Sequence, residues 1–454
     1  MIFDRTLQLD KILNYHPRMT PKKSQAAGAS QGKEPLTNDS SPVTNSEQDG
    51  LLFPIAPETH EPVSDSKPDR EDPLSAGKPE PEELLLPSHD EAKALCNLAA
   101  QIKTLAPWQW MQETDVFGVE NPDTGEIGFV SVMGNVGEYE AVGVYPGAEG
   151  IYGFIDFQLD PSASPDRLIE IPQVQLSFSE SKFLEKRDRA LLKGVGLKFT
   201  GTKPLFRSYR PGFLPWFITL KEARLLIHAL SQTLEMTKRF AEQSITFPNE
   251  GDGETEPFLV RVLRQEDNLV KQGTSDNEDK PRNDVTEPRR PSLPSGLVWE
   301  DQIKRIPRPT RPPIEIRIDG GLLADLKSLP LSPMQLEADL FIGPAMIGKP
   351  RERPMALYML MLADRQSGLV FGLEAITAEH SLNTMYASVP EKVVELFWQA
   401  KVLPKQIIVR SILLLNLLEP LEKELKIQLR RANKLPSIDK ATRSMTQWLE
   451  TGKM

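Results

Sequence analysis

The sequence predicts an α+β domain followed by an α/β mixed-sheet domain, with long disordered segments beside and within them. Three observations lead there. The stretch 107–157, PWQWMQETDVFGVENPDTGEIGFVSVMGNVGEYEAVGVYPGAEGIYGFIDF, sets strand, turn and helix signals one after another without filler. From residue 313 onward, strand and helix patterns alternate, the mark of a mixed or parallel sheet covered by helices. Residues 20–87 are rich in Pro, Ser, Asp, Glu and Lys, with few large apolar residues beyond Leu51, Leu52 and Phe53. Such a segment cannot bury enough surface to offset its chain entropy.

The chain has 454 residues, room for two or three domains. Hydrophobic residues make up 39% while prolines number 40, as expected of compact domains diluted by Pro-rich stretches. Cys96 is the single cysteine, so a disulfide framework and a Cys-based zinc cluster are excluded. Its place beside Leu95 and Leu98 in a helical pattern suits a buried small hydrophobe. His16, His60, His89, His228 and His380 show no metal-ligand spacing, and neither a metal nor a cofactor is expected. Asp4 and Asp10 fall where a signal peptide needs an apolar run. The longest apolar run, 356–363, is far short of the roughly 18–20 residues that span a bilayer. A cytoplasmic protein without membrane association is expected. The net charge of −10 is uneven, with 13 acids against 6 bases over 20–87 and 11 against 7 over 249–295. The remainder is near neutral, so the acidity does not exclude an anionic partner.

In order, residues 1–19 hold a short amphipathic segment. Its apolar positions are Ile2, Phe3, Leu7, Leu9, Ile12, Leu13 and Tyr15. Residues 1–16 read either as a frayed helix or as a peptide that docks on a protein partner. The acidic tail 20–87 follows. The first domain is expected over 88–306. Ser88 and Glu91 form a capping box for a helix carrying Ala92, Leu95, Ala99, Ile102 and Ala106, which Pro107 ends. Strands at 116–120 and 127–133 flank the turn at 121–125 as a hairpin. A third strand is expected at 141–145, a helix at 148–157 with Ile151, Phe154 and Ile155 inward, and a loop at 158–172. A strand at 173–179, a charged helix at 181–192 and an aromatic, basic loop at 205–215 follow. Thr219 and Glu222 cap a strong helix with Ala223, Leu226, Ile227, Leu230 and Leu234 on one face. Strands at 258–264 and 296–303 read as hairpin arms split by a disordered insertion at about 267–295, because closure cost grows slowly with loop length.

Residues 307–312 form a Pro-rich linker to a second domain at 313–450. Its expected strands are 336–343, carrying Glu337 and Asp339, then 356–363 and 368–375 joined by a turn, then 406–410 and 427–431. Ser388 with Glu391 reads as the cap of a helix carrying Val393, Val394, Leu396 and Phe397. Ser411 opens another helix that Pro420 must kink or split. A last helix is expected at 438–449.

Four motifs in the first domain, PWQWM, VFGVENPDTGEIGFVSVMG, VYPGAEGIYGF and LFRSYRPGFLPW, resemble an uncharacterised prokaryotic family. The second domain, with LADRQSGLVFGLE, PKQIIVRS and LPSID, resembles a domain of unknown function that often accompanies it. Relatives often carry Cys-rich metal-binding tails; this chain has none, so that role does not carry over. The element order of the second domain is also similar to the ribonuclease H-like core of transposases and integrases. Those enzymes hold two metal ions among three carboxylates. On that template Asp339 is the first acid and Asp439 lies near the third. The second should follow the strand at 406–410, where the sequence reads Val409-Arg410-Ser411. Arg410 puts a cation where a ligand is required, and the resemblance implies a degenerate site.

Other candidates each carry two readings. Trp108 and Trp110 suit either a ligand platform or the core. Arg207, Tyr209 and Arg210 suit a phosphate or nucleobase, or internal ion pairs and packing. Arg410, Arg430 and Arg431 mark an edge that could hold nucleic acid, or an ordinary mixed surface. The acids crowding the hairpin region read as solvated faces or as acid–base pairs. No glycine pattern forms a phosphate loop and Ser131 lacks a nucleophile-elbow setting. The expectation is a non-catalytic binding or adaptor protein. The alternatives are a metal-dependent enzyme acting on nucleic acid or nucleotides, and a simple nucleic-acid-binding protein.

Overall fold

The computed structural model describes residues 85–135, 137, 139–160, 164–248, 251–264, 298–349 and 352–451. The amphipathic segment, nearly all of the acidic tail and the insertion at 267–295 lie outside them.

Helix α1 (His89–Leu105) starts where expected: the Ser88 hydroxyl accepts from the Glu91 amide and the Ser88 amide donates to the Glu91 carboxylate. Its buried stripe of Ala92, Leu95, Cys96, Ala99 and Ile102 faces α4 (Leu220–Ala241), which has a second reciprocal box of Thr219 and Glu222. Both pack on one face of a seven-stranded sheet. The strands are β1 (Phe117–Glu120), β2 (Ile127–Met133), β3 (Ala141–Pro146), β4 (Gln173–Ser179), β5 (Lys203–Tyr209), β6 (Thr255–Leu263) and β7 (Trp299–Pro307), in the order β5-β4-β3-β2-β1-β6-β7. Every neighbouring pair is antiparallel except β1 with β6. The β1–β2 turn closes through the Gly125 amide on the Asn121 carbonyl, with Gly125 at φ 71°, a conformation that favours glycine. Helix α2 (Gly147–Leu159) covers the other face with Ile151, Tyr152 and Phe154.

Several elements depart from expectation. The 205–215 loop is strand β5 as far as Tyr209, because Leu205 to Tyr209 pair in full register with β4. The charged helix at 181–192 is a short 3-10 turn, Ser181–Phe183, followed by α3 (Lys186–Val195). The 158–172 loop contains the 3-10 turn Pro165–Glu170. The strand expected at 296–303 runs later, so Pro307 belongs to β7, not to a linker.

Helix α5 (Gly320–Lys327) leads into a five-stranded sheet of β8 (Leu331–Ile347), β9 (Met355–Asp364), β10 (Val370–Thr377), β11 (Leu403–Val409) and β12 (Gln428–Arg431). The order is β10-β9-β8-β11-β12: β8, β9 and β10 form an antiparallel meander, and β11 and β12 add parallel beyond β8. Helices α6 (Leu382–Ala400) and α7 (Ile412–Leu425) bury Val389, Val393, Phe397, Leu417 and Leu421 on one face. Helix α8 (Pro436–Thr451) covers the other, seating Ile438 against Met361, Ala363 and Ile408. Helix α6 begins at the Ser381 cap, not Ser388, which lies inside it and donates to the Met385 carbonyl. Pro420 neither ends nor splits α7, which runs through it. Helix-breaking propensity here yields to the packing of Leu417, Leu418 and Leu421.

A short seam joins the sheets. Phe213 bridges Met355, the Leu214 amide donates to the Pro354 carbonyl at 2.9 Å, and the Ala356 amide to the Gly212 carbonyl at 3.0 Å. Gly212 sits at φ 84° with a built Cβ 2.8 Å from the Ala378 Cβ, so a side chain there meets both strain and collision. Tyr386 on α6 donates to Glu170 at 2.6 Å, and Arg167 holds the other oxygen of that carboxylate at 3.2 Å. Beside this pair lies a cleft of about 440 Å³ lined in part by Asp156, Phe157, Arg311 and Leu413. Among the described residues no helix is long and apolar enough to cross a membrane.

Candidate functional site

Strand β8 alternates its side chains between the two faces of the second sheet. Leu336 and Ala338 join the core under α6 and α7, while Glu337 packs against the start of α8 and Asp339 faces Arg410 and Asp439. Glu337 is fully buried, and one of its oxygens accepts from the Ser437 amide at 2.8 Å and the Ile438 amide at 3.3 Å. A carboxylate there suits the positive end of the helix and places Asp439 in its first turn. The other Glu337 oxygen is buried without a hydrogen-bond partner among the described residues.

Parallel pairing sets Ile408 against Glu337 and Val409 against Ala338, so the next residue of that chain, Arg410, emerges beside Asp339. Its Nε donates to Asp339 Oδ2 at 3.1 Å, and Nη2 reaches Asp339 Oδ2 at 2.9 Å and Asp439 Oδ1 at 2.7 Å. Burial works against the guanidinium charge, but the two aspartates hold Arg410 above its usual range. Two-metal chemistry needs oxygens free to coordinate. Here two of them already bind a cation that does not lose its proton. The residues do not fit a metal pair, and among the described residues no group of three or more His, Cys, Asp or Glu is placed to hold a metal ion. The 3-10 turn Pro165–Glu170 adds Asp166, which has Asp339 as a charged neighbour. Burial, with Asp339 and Glu170 nearby, pushes its carboxyl up to about 6, against the opposing influence of polar groups at Ser164 and Ile342.

The remaining candidates do not converge. Arg207 is buried on β5, bonded twice to Asp188 at 2.8 and 2.7 Å, and stacked 4.7 Å from the Phe217 ring centre. Tyr209 is buried and donates to Gln175 at 2.7 Å. Neither offers the face to a ligand that a loop would have given it. Arg210 stays partly exposed, 3.3 Å from Glu222. Trp108 is core, edge-on to Phe178, whereas Trp110 is 54% exposed, so the two form no platform. Arg430 and Arg431 are exposed on the edge strand β12, and Arg431 donates back to the Arg410 carbonyl at 3.2 Å. Asp166, Asp188 and Arg353 were missed, because Asp339, Arg207 and Ser208 lie apart from them in sequence, and Glu222 was read only as the capping partner of Thr219. Glu337, two residues before Asp339 on a strand, shares its face, and that spacing could have flagged it.

Two family models match this chain. Residues 93–261 match the Domain of unknown function (DUF7309), and residues 322–446 match the Domain of unknown function (DUF6930). The first match ends within β6 and the second spans Asp339, Arg410 and Asp439. No curated protein and no solved structure matches the chain.

Proposed function

We propose that the chain is a non-catalytic, cytoplasmic binding protein whose second sheet has a ribonuclease H-like architecture closed by Arg410. The strand order supports that architecture: a three-stranded antiparallel meander extended by two parallel strands on the side of its first strand. The single observation that carries the loss of catalysis is the Arg410 guanidinium bound to both Asp339 and Asp439. The test incubates the full chain with single- and double-stranded DNA and RNA in Mg²⁺ or Mn²⁺. No metal-dependent cleavage is expected. Cleavage that disappears in Asp339→Ala would overturn the proposal.

A second reading, nucleic-acid binding without chemistry, is favoured by one charge pattern. Residues 426–446 hold six cations (Lys426, Arg430, Arg431, Lys434, Lys440 and Arg443) and one acid, Asp439, in a chain of net charge −10. Arg430, Arg431, Lys434, Lys440 and Arg443 are exposed and form no ion pair among the described residues. Phosphate contacts make affinity fall steeply with salt. Anisotropy of a labelled oligonucleotide should show that slope, and Arg430→Glu with Arg431→Glu should weaken binding at least about tenfold. Equal binding by the double variant would remove this reading.

A further inference from the structure

The geometry points to a single strand of nucleic acid, not a duplex, as the partner of the basic edge of the second domain, with Trp448 on α8 as the platform for one of its bases. This inference rests on the nucleic-acid-binding reading and names the ligand of that same surface. Helix α8 turns Ile438 and Ala441 toward the sheet. Lys440, Arg443, Ser444, Gln447 and Trp448 follow the i, i+3, i+4, i+7, i+8 spacing of one helical face, and all five are exposed. That face carries two cations, two neutral polar side chains and one indole, with no acid among them. Trp448 is 46% exposed. Among the described residues it makes no ring or cation contact and joins none of the apolar clusters. An indole is mostly apolar surface, and folded chains usually cover it. The helical rise sets Trp448 about 12 Å along the axis from Lys440 and about 7.5 Å from Arg443.

Charge sets the sign of the partner. Residues 426–448 hold six cations and one acid, Asp439. Asp439 is already bound to Arg410 at 2.7 Å, so it neutralises none of the six. A row of phosphates supplies the complementary charge. Charge alone would suit a duplex and a single strand equally, and the indole separates them. In a duplex the base faces are stacked on one another, whereas a single strand offers them to an aromatic side chain. Cations that follow a phosphate chain beside an aromatic ring that takes a base are the two elements of such a surface. Both stand on α8, and Arg430, Arg431 and Lys434 extend the cationic part along β12 and the turn that follows it.

The test measures binding of a labelled thymidine oligonucleotide, and of a duplex of the same length, to the full chain by anisotropy at matched ionic strength. The single strand should bind at least about fivefold more tightly than the duplex. Trp448→Ala should weaken binding of the strand about fivefold or more and leave binding of the duplex unchanged. The slope of log affinity against log salt should stay the same in that variant, because a lost stack releases no counterions. Trp448→Phe, which keeps a ring, should recover most of the lost affinity. Both variants should unfold at the midpoint of the unmodified chain, since the side chain is exposed. The inference fails, and the nucleic-acid reading survives it, if the duplex binds as tightly as the strand or if Trp448→Ala binds the strand as the unmodified chain does. A loss in Trp448→Ala that Trp448→Phe does not recover would also overturn the stacking role. If neither oligonucleotide binds, the nucleic-acid reading falls and this inference with it.

Discussion

Arg207 and Arg410 are both clamped by aspartate, but in opposite settings. Arg207 sits inside the first sheet with Asp188, each side chain under 10% exposed, in a two-fold parallel grip. Arg410 stands at the end of β11, a third exposed, and ties together aspartates from a strand and a helix. The comparison separates a rivet from a plug. In the first sheet the ion pair satisfies a charge that strand pairing has already buried. In the second it gathers groups that could otherwise serve something else.

The largest effect should come from Arg207→Met, which strands the Asp188 carboxylate in the interior. Breaking one side of a buried pair costs about 3–5 kcal/mol. Denaturant unfolding should show a loss of that order, and a loss below about 1 kcal/mol would erase the distinction between the two arginines. Next is Asp166, between the sheets beside Asp339 and Glu170. Its folded value, raised to about 6 from 3.8, means its contribution is fully present below the unfolded value and lost as pH rises through about 6. Stability should therefore decline between about pH 4 and 6, by at most about 3 kcal/mol. Asp166→Asn should flatten that decline; an unchanged pH profile would assign it elsewhere. The smallest change in stability, about 1 kcal/mol, is expected for Arg410→Gln, because the pair is partly solvated. The sharper readout there is Mn²⁺: the variant should gain a metal-dependent rise in unfolding midpoint that the unmodified chain lacks. Identical responses would mean that Arg410 is not what keeps a cation out.

Local chemistry was the legible part of this molecule. The two capping boxes, at Ser88 and Thr219, and the β1–β2 turn are written within four or five consecutive residues, and each forms as read. Signals that depend on distant neighbours were not. Leu205 to Tyr209 carry aromatic and basic side chains that look like a loop, and only pairing with β4 makes them a strand. Ser388 has the chemistry of a cap, but the apolar positions Met385 and Tyr386 before it are buried in the α6 core, so the helix starts earlier. The conflict at Arg410 was legible because a resemblance supplied the positions of Asp339 and Asp439. Arg353 was not, because nothing near it in sequence names Ser208 as its partner.

The seam at Gly212 to Leu214 has a practical consequence for anyone dividing the molecule. The two family matches, 93–261 and 322–446, suggest a cut between them. Either half expressed alone would bare the backbone edge that 212–214 and 354–356 now satisfy mutually. Unpaired strand edges of this kind invite self-association. Fragments should therefore aggregate more readily than the intact polypeptide.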